Sequence, residues 1–402
     1  MASTNTKDFY NLVNVYLDAV LHPRALNDPM VLQQEGWHYE LESIDKPLTL
    51  KGVVLNEMKG VYSSPDSIMN RATQQALFPD NTYGVDSGGD PLDIPSLTYD
   101  QFKQFHANYY HPSNSRVFFY GNDDPLVRLE LLDSYLHEFE RNEVDSKIHF
   151  QNKRSDLTRI EVKFPIDPNA EQKHMITVNW LLNDRPLSMK DSLAINVLDS
   201  LLLGTPTSAL RKAITESNLG ESLIGGGLSD ELLQSTFSVG LKGVKAEDTK
   251  KVEDLVLSTL TALSQTGFET DAVEAAINTL EFKLREFNTG GYPRGLSIML
   301  SMLPNWIYDK SPFDGIRFES ALAEIKKDLA DGKPIFQDLL KEYITTNTHR
   351  LVVEAVPDVD LETKRSTAET EHLAKIKSGM TTEQLNEVCF YDLCNVFMYL
   401  FN

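Results

Sequence analysis

The residue in this sequence that most suggests chemistry is a glutamate placed among apolar residues. With helical periodicity, Glu57 falls inside a stripe formed by Leu50, Val53, Val54, Met58 and Val61. Because Val53 and Val61 lie four residues before and after Glu57, we expect its carboxylate to point inward with them. A buried carboxylate is stable only when it is paired, protonated or bound to a metal ion. Glu57 is therefore either a structural partner in the core or a metal ligand.

Several common catalytic patterns do not occur in this sequence. None of the nine histidines begins or ends an H-x-x-E-H motif, and there is no G-x-S-x-G or P-loop motif. The triplet at residues 225–227 lacks the spacing and the following helix of a dinucleotide fingerprint. Cys389 and Cys394 predict neither a disulfide framework nor a cysteine zinc site, which favours a reducing compartment.

Composition and charge restrict the classes of partner. The chain has 402 residues, 41% hydrophobic and 24% charged, which is typical of a globular protein of two to three domains. The net charge of −21 argues against nucleic acid and anionic membrane surfaces as partners and is compatible with basic peptides. The same charge is also explained by a solvated acidic surface. We expect no transmembrane span and no targeting peptide after Met1.

Strands separated by pairs of helices recur in two successive blocks, and this pattern predicts an α+β fold with helices packed on mainly antiparallel sheets. The first block covers residues 1–140 and includes a predicted buried strand at 116–120. The polar segment 141–158 is the predicted interdomain linker. The second block, 159–357, contains five predicted strands, at residues 159–164, 174–182, 221–227, 235–241 and 350–356.

Long runs of the sequence resemble the presequence proteases, which are organellar pitrilysin-like zinc metallopeptidases. The runs that carry the resemblance are residues 55–63, 76–91, 109–114, 203–206 and 240–244. The resemblance extends from residue 2 to about residue 387. It implies that residues 1–140 are the later part of a first pitrilysin-like roll, 159–357 a second roll, and 358–387 the start of a helical hairpin. Residues 388–402 do not match and form a predicted non-matching tail rich in Phe and Tyr.

The resemblance also implies a zinc site. In the family, two histidines of an inverted H-x-x-E-H motif and a downstream glutamate hold zinc, and the glutamate inside the motif activates water. Glu57 occupies the position of the downstream ligand. The two histidines and the base are placed upstream of residue 1 in the family, and a C-terminal half follows the hairpin. We therefore expect this chain to be catalytically incomplete by itself.

A second predicted site is the segment Leu223, Ile224, Gly225 and Gly226. The resemblance implies that this strand is an exosite whose edge pairs with the backbone of a substrate peptide, since glycines allow close approach of another chain. Read from the residues alone, the same glycines indicate a strand with a bulge or a turn with positive φ. Both interpretations remain open at this point.

The sequence thus predicts a segment of a zinc metalloendopeptidase that degrades short unfolded peptides, such as cleaved organellar targeting presequences. By resemblance, its location is the mitochondrial matrix or the chloroplast stroma. The alternative is a non-catalytic peptide-binding or scaffold protein of the same superfamily. An upstream segment that encodes H-x-x-E-H would discriminate between the two.

Overall fold

The computed structural model of the protein describes residues 2–389. Its first part is mainly helical and contains one short two-stranded sheet. The elements of this part, in chain order, are α1 (Thr6–Leu21), α2 (Pro29–Val31), β1 (His38–Glu40), β2 (Thr49–Lys51), α3 (Val53–Val61), α4 (Pro65–Leu77), α5 (Tyr99–Tyr109) and α6 (Pro125–Leu136).

The second part combines five strands with a larger number of helices. Its elements are β3 (Thr158–Pro165), β4 (His174–Leu181), α7 (Met189–Asp199), α8 (Ala209–Glu216), β5 (Ser222–Ser229), β6 (Thr236–Val244), α9 (Thr249–Thr266), α10 (Thr270–Glu286), α11 (Arg294–Trp306), α12 (Glu319–Ala330), α13 (Ile335–Leu340), β7 (Arg350–Asp358) and α14 (Leu361–Gly379).

The five strands of the second part form one sheet with the order β3-β7-β4-β6-β5. Strands β3 and β7 are parallel, and the other three neighbouring pairs are antiparallel. Helices pack on this mainly antiparallel sheet, so the predicted α+β class is confirmed. Within residues 2–389, β3 and β5 are the edges of the sheet, and this position of β5 matters for the site described below.

The central strand β4 is buried on both faces because each face is covered by helices. Ile176, Val178 and Trp180 contribute to the main core, which also contains buried residues of α7, α9 and α13. Met175 and Leu181 point to the opposite face and join a second core. This alternation with a period of two places apolar side chains in both layers.

Helix α4 of the first part covers the second face of the sheet. Its residues Ile68, Met69 and Leu77 are buried in one cluster with Phe164 and Val353 of the sheet. Ser64 precedes the helix and Pro65 is its first residue, a position that tolerates proline because its N–H would have no partner within the helix. The two parts therefore share a core, and the predicted domain boundaries stay predictions.

The segment proposed as a linker has no regular secondary structure between α6 and β3, but part of it is firmly held. Gln151 is only 1% exposed. Its side chain accepts a hydrogen bond from the Asp80 N–H at 2.9 Å and donates one to the Asp80 carboxylate at 2.6 Å. Its backbone N–H donates to Gln234 Oε1 at 2.5 Å. These bonds fix the segment to both parts of the chain.

The prediction of a buried strand at residues 116–120 is wrong. The segment belongs to no sheet in the described part of the chain, and the side chains of Val117 and Tyr120 are exposed. A strand needs a neighbour to satisfy its backbone, and the first part offers only the three-residue strands β1 and β2. The end of helix α11 contacts the segment instead: Arg116 Nε donates to the Trp306 carbonyl at 3.3 Å, and Arg116 Nη2 contacts Asp309 Oδ1, just after the helix, at 2.5 Å.

One stretch contradicts the expectation that no part of the sequence approaches a membrane span. Met189–Glu216 is long and apolar enough by composition, with a mean hydropathy of 1.3. Half of its most apolar 18-residue segment is buried inside the protein, and the stretch contains α7 and α8, whose buried residues belong to the main core. Its apolar character is thus explained by packing against the sheet.

Helix α14 returns to the first part and packs beside β1 and β2. Leu373 is buried with Leu41 and Leu48. Lys59 of α3 pairs with Glu369 of α14 at 2.6 Å. A further helical segment covers residues 382–389, and its N-terminus is capped by mutual hydrogen bonds between Thr381 and Gln384. The predicted non-matching tail lies almost entirely outside the described residues.

Candidate functional site

Glycine at position 52 determines where the helix of Glu57 begins. Gly52 has φ of 148°, and a Cβ at this position would lie 2.1 Å from the carbonyl oxygen of Gly36. This close approach ends β2 and starts α3 at Val53. Leu50 therefore belongs to a strand and not to the helical stripe in which the sequence pattern placed it.

One face of α3 is buried by the loop at residues 80–95. Leu55 and Met58 form a cluster with Ile94 of this loop. The loop approaches so closely that a Cβ on Gly88 would lie 2.5 Å from the sulfur of Met58. The glycine- and aspartate-rich loop thus holds the helix in place from one side.

The expectation that Glu57 points into the core is wrong. Glu57 is exposed, and Val53, Val54 and Val61 on the same side of α3 are 50%, 38% and 39% exposed. The spacing correctly grouped these residues on one side of the helix, but the loop covers the other side. Apolar spacing shows which residues lie together, whereas the tertiary neighbour decides which side is buried. The role of Glu57 as a metal ligand stays a prediction.

A zinc ion does not fit the described residues. Among residues 2–389 no three side chains of His, Cys, Asp or Glu lie close enough together to hold a metal ion. A protein zinc site needs three or four such ligands, and a single exposed carboxylate cannot form one.

The end of α3 is held by a contact that the sequence pattern did not reveal. The guanidinium carbon of Arg71 lies 3.0 Å from the centre of the Tyr62 ring, and Arg71 Nη1 is 3.9 Å from the Asp86 carboxylate. Burial raises the pKa of the Tyr62 hydroxyl to about 12. The three residues connect α3, α4 and the loop, so they fix the orientation of the helix that carries Glu57.

The predicted exosite segment lies in β5 at the edge of the five-stranded sheet. Strand β5 pairs with β6 on one side, and no strand within residues 2–389 pairs with its other side. The register shifts between Ile224 and Gly227, which agrees with a strand that contains a bulge, one of the readings of these glycines from the sequence. The interpretation as an exosite stays a prediction.

Side chains anchor β5 from both faces of the sheet. Leu223 packs against the main core, and Ile224 packs against the second core under α4. The bulge residues differ: a Cβ on Gly225 would lie 2.7 Å from the backbone of Ser238, whereas nothing lies within 4 Å of one on Gly226. With φ of 78°, Gly226 marks the open side of the bulge. The edge is thus rigid and accessible to another chain.

A second side chain missed by the sequence analysis is Asp199, the last residue of α7. Its Oδ1 accepts a hydrogen bond from the Leu228 N–H of β5 at 3.0 Å. A Cβ on Gly227 would lie 2.3 Å from the same oxygen. Burial raises the pKa of the Asp199 carboxyl, the Leu228 N–H opposes this shift, and the nearby Asp230 adds to it. No sequence motif marks this contact.

The comparisons agree with this fold. A family profile described as the peptidase M16 inactive domain matches residues 96–280. The first half of the periplasmic protease PqqL from Escherichia coli has a similar fold, with a TM-score of 0.58 at 12% identity, covering 95% of this chain and 77% of that one. The peptidase M16 inactive domain from Pseudomonas fluorescens gives 0.57 at 16% identity over 76% of this chain and 68% of that one.

Sequence relatives are more informative. The chain is 52% identical to presequence protease 1, chloroplastic/mitochondrial, of Arabidopsis thaliana over 96% of this chain. The chain belongs with the presequence proteases of the M16 peptidases. It is also 32% identical to the mitochondrial presequence protease of Xenopus laevis over 96% of this chain. The chain spans 36% of the Arabidopsis protein and 38% of the Xenopus protein, so it corresponds to a segment of these presequence proteases.

Proposed function

We propose that this chain is the peptide-binding segment of a zinc metalloendopeptidase that degrades short unfolded peptides, such as cleaved targeting presequences. The proposed locations are the mitochondrial matrix and the chloroplast stroma, which the names of the relatives support. In this proposal the chain alone has no peptidase activity, and Glu57 is a zinc ligand only when the rest of the metal site is supplied.

The observation that carries the proposal is the open edge of β5. Leu223 and Ile224 anchor the strand, and Gly226 leaves space beside its backbone. An extended peptide can add to such an edge through main-chain hydrogen bonds that do not depend on its sequence. The net charge of −21 favours basic peptides among the possible ligands.

The exposure of Glu57 supports its proposed role in a larger assembly. A ligand that completes a site with residues of another segment must face outward from its own segment, and Glu57 does. The exposed valines beside it, Val53, Val54 and Val61, supply an apolar surface on which such a segment can pack.

The alternative function is a non-catalytic peptide-binding or scaffold protein. The lack of a three-ligand cluster among residues 2–389 favours it as a description of this chain by itself. The two functions share the peptide-binding strand and differ in whether Glu57 ever holds metal.

Three measurements on the purified chain test the proposal. Fluorescence anisotropy measures binding of a labelled basic unfolded peptide, a quenched fluorogenic peptide reports cleavage, and mass spectrometry of metals after dialysis gives zinc per chain. We expect peptide binding without cleavage and without stoichiometric zinc. Chelator-sensitive cleavage with one zinc per chain would refute the proposed inactivity, and failure to bind the peptide would refute the proposed peptide-binding function.

A further inference from the structure

We propose that Asp199 closes the outer half of the β5 edge, so that an added peptide strand pairs with Leu223–Gly226 and stops before Leu228. The inference rests on the proposed function and assigns a positioning residue to it. It concerns how much of the edge a peptide can use, and therefore where along β5 the peptide is placed.

The backbone N–H of Leu228 points away from β6. The N–H and C=O of a strand residue point to the same side, either toward the neighbouring strand or away from it. The Leu228 N–H donates to Asp199 Oδ1 at 3.0 Å, and Asp199 belongs to α7, not to β6. This amide therefore points to the open side of β5, where a peptide would otherwise form its hydrogen bond.

Asp199 also fills the space beside Gly227. Gly227 is buried, while its neighbour Gly226 is exposed. Two side chains cover Gly227, since an added Cβ would lie 2.3 Å from Asp199 Oδ1 and 3.2 Å from Leu203 Cδ1, so Asp199 is the nearer of the two. The Asp199 carboxylate thus fills the space beside Gly227 and reaches the outward-pointing Leu228 N–H, whereas the space beside Gly226 is free.

The packing of α7 restricts the movement of the Asp199 carboxylate. Asp199 ends α7, where Val197 and Leu198 are buried in the main core, so the side chain has little freedom to move away. Displacing it would leave a partly buried carboxylate without the N–H that stabilises it, and the raised pKa of Asp199 reports this burial. A peptide would have to replace this bond to extend its pairing.

Asp199→Ala and Asp199→Asn separate this blocking role from a role of the charge. The asparagine keeps an oxygen that accepts from the Leu228 N–H, whereas alanine frees the amide and the space beside it. Asp230→Ala is the control for loss of one nearby negative charge, since Asp230 bonds to Asn196 and not to β5. Peptides capped at both ends, with repeated arginine and leucine and lengths of about four, six and eight residues, are the probes.

With the wild-type chain, Asp199→Asn and Asp230→Ala, we expect the affinity to stop rising at about four residues, the number that fits from Leu223 to Gly226. With Asp199→Ala, we expect it to rise about fivefold further between four and six residues, because two more residues can pair. Hydrogen exchange of the Leu228 amide should accelerate in Asp199→Ala alone.

Three results would overturn the inference in distinguishable ways. If the peptides bind but the length dependence is the same in Asp199→Ala as in the wild-type chain, the blocking role is wrong while the proposed function survives. If no peptide binds to any variant at any length, the proposed function fails together with the inference. An affinity of the wild-type chain that keeps rising for peptides longer than about four residues would also contradict the blocking role of Asp199.

Discussion

Glu57 and Met58 are neighbours in α3, but Glu57 faces solvent and Met58 faces the loop at residues 80–95. Met58 is 7% exposed and packs against Ile94, whereas Glu57 is exposed. The buried methionine holds the helix on its own segment, and the outward glutamate is available to a partner segment. Helix α3 therefore separates its structural side from its proposed functional side.

The two sides of α3 should respond differently to substitution. We expect Met58→Ala to lower the free energy of unfolding by about 2–5 kcal/mol, because it removes buried volume beside Leu55 and Ile94. Glu57→Gln should change it by less than about 0.5 kcal/mol, since the side chain is exposed. Urea unfolding measures both, with Glu42→Gln as a second exposed control. A large loss of unfolding free energy in Glu57→Gln would show that this residue has a structural role.

The contact between Arg71 and Tyr62 should contribute to stability. Arg71→Ala removes a partly buried cation from the Tyr62 ring and from Asp86, so we expect a loss of about 1–3 kcal/mol in the free energy of unfolding. Arg24→Ala is the matched control, because the Arg24 side chain is exposed and pairs only with Asp28 at the surface. Equal effects of the two substitutions would contradict the structural role of Arg71.

His349 should make stability depend on pH. It is 2% exposed, and burial, with Arg154 nearby, lowers its pKa to about 4 from the ordinary 6.5. Its Nδ1 accepts from the Arg154 N–H at 3.3 Å, which requires an unprotonated nitrogen. The fold favours the neutral ring, so its contribution is complete above about pH 6.5 and is lost as the pH falls toward 4; it amounts to about 3 kcal/mol.

Replacement of His349 checks this dependence. We expect His349→Gln to flatten the change in unfolding free energy between about pH 6.5 and pH 4, whereas His372→Gln, at an exposed position, should leave it unchanged. Urea unfolding at several pH values gives the comparison. An unchanged slope in His349→Gln would show that other groups produce the pH dependence.

The exposed apolar side of α3 should promote self-association of the isolated chain. We expect the triple substitution of Val53, Val54 and Val61 by serine to reduce binding of the dye ANS and light scattering, with little loss of stability because these side chains are exposed. The same substitutions at Val252, Val256 and Val353, which are buried, should instead unfold the protein. Unchanged dye binding in the exposed triple variant would contradict this prediction.

Local patterns predicted much of the second part of the fold. Strands β4, β5, β6 and β7 were predicted close to their observed positions, because alternation and apolar runs are strong signals for strands between two helical layers. The segment 116–120 has an equally strong strand pattern and is not a strand. Its apolar composition suits a strand, but a strand forms only when another strand lies beside it. Residues 2–389 provide no such neighbouring strand for this segment.

The site was predictable only in part, for the same reason. The glycines of β5 predicted the bulge, since positive φ and close approach to Ser238 require them. The exposure of Glu57 depends on the loop that covers Met58, and the contact of Asp199 with Leu228 joins residues 29 positions apart. Contacts of this kind arise from tertiary packing and have no local sequence pattern.

The most direct test of the proposed peptide-binding strand compares two glycines. Gly226 and Gly332 have φ of 78° and 76°, and nothing lies within 4 Å of a Cβ on either. Replacement by asparagine, which tolerates this conformation, should therefore cost the two sites similar stability. We predict that Gly226→Asn lowers the affinity for a labelled basic peptide about tenfold while Gly332→Asn leaves it unchanged. Equal affinities in the two variants would contradict binding at the β5 edge.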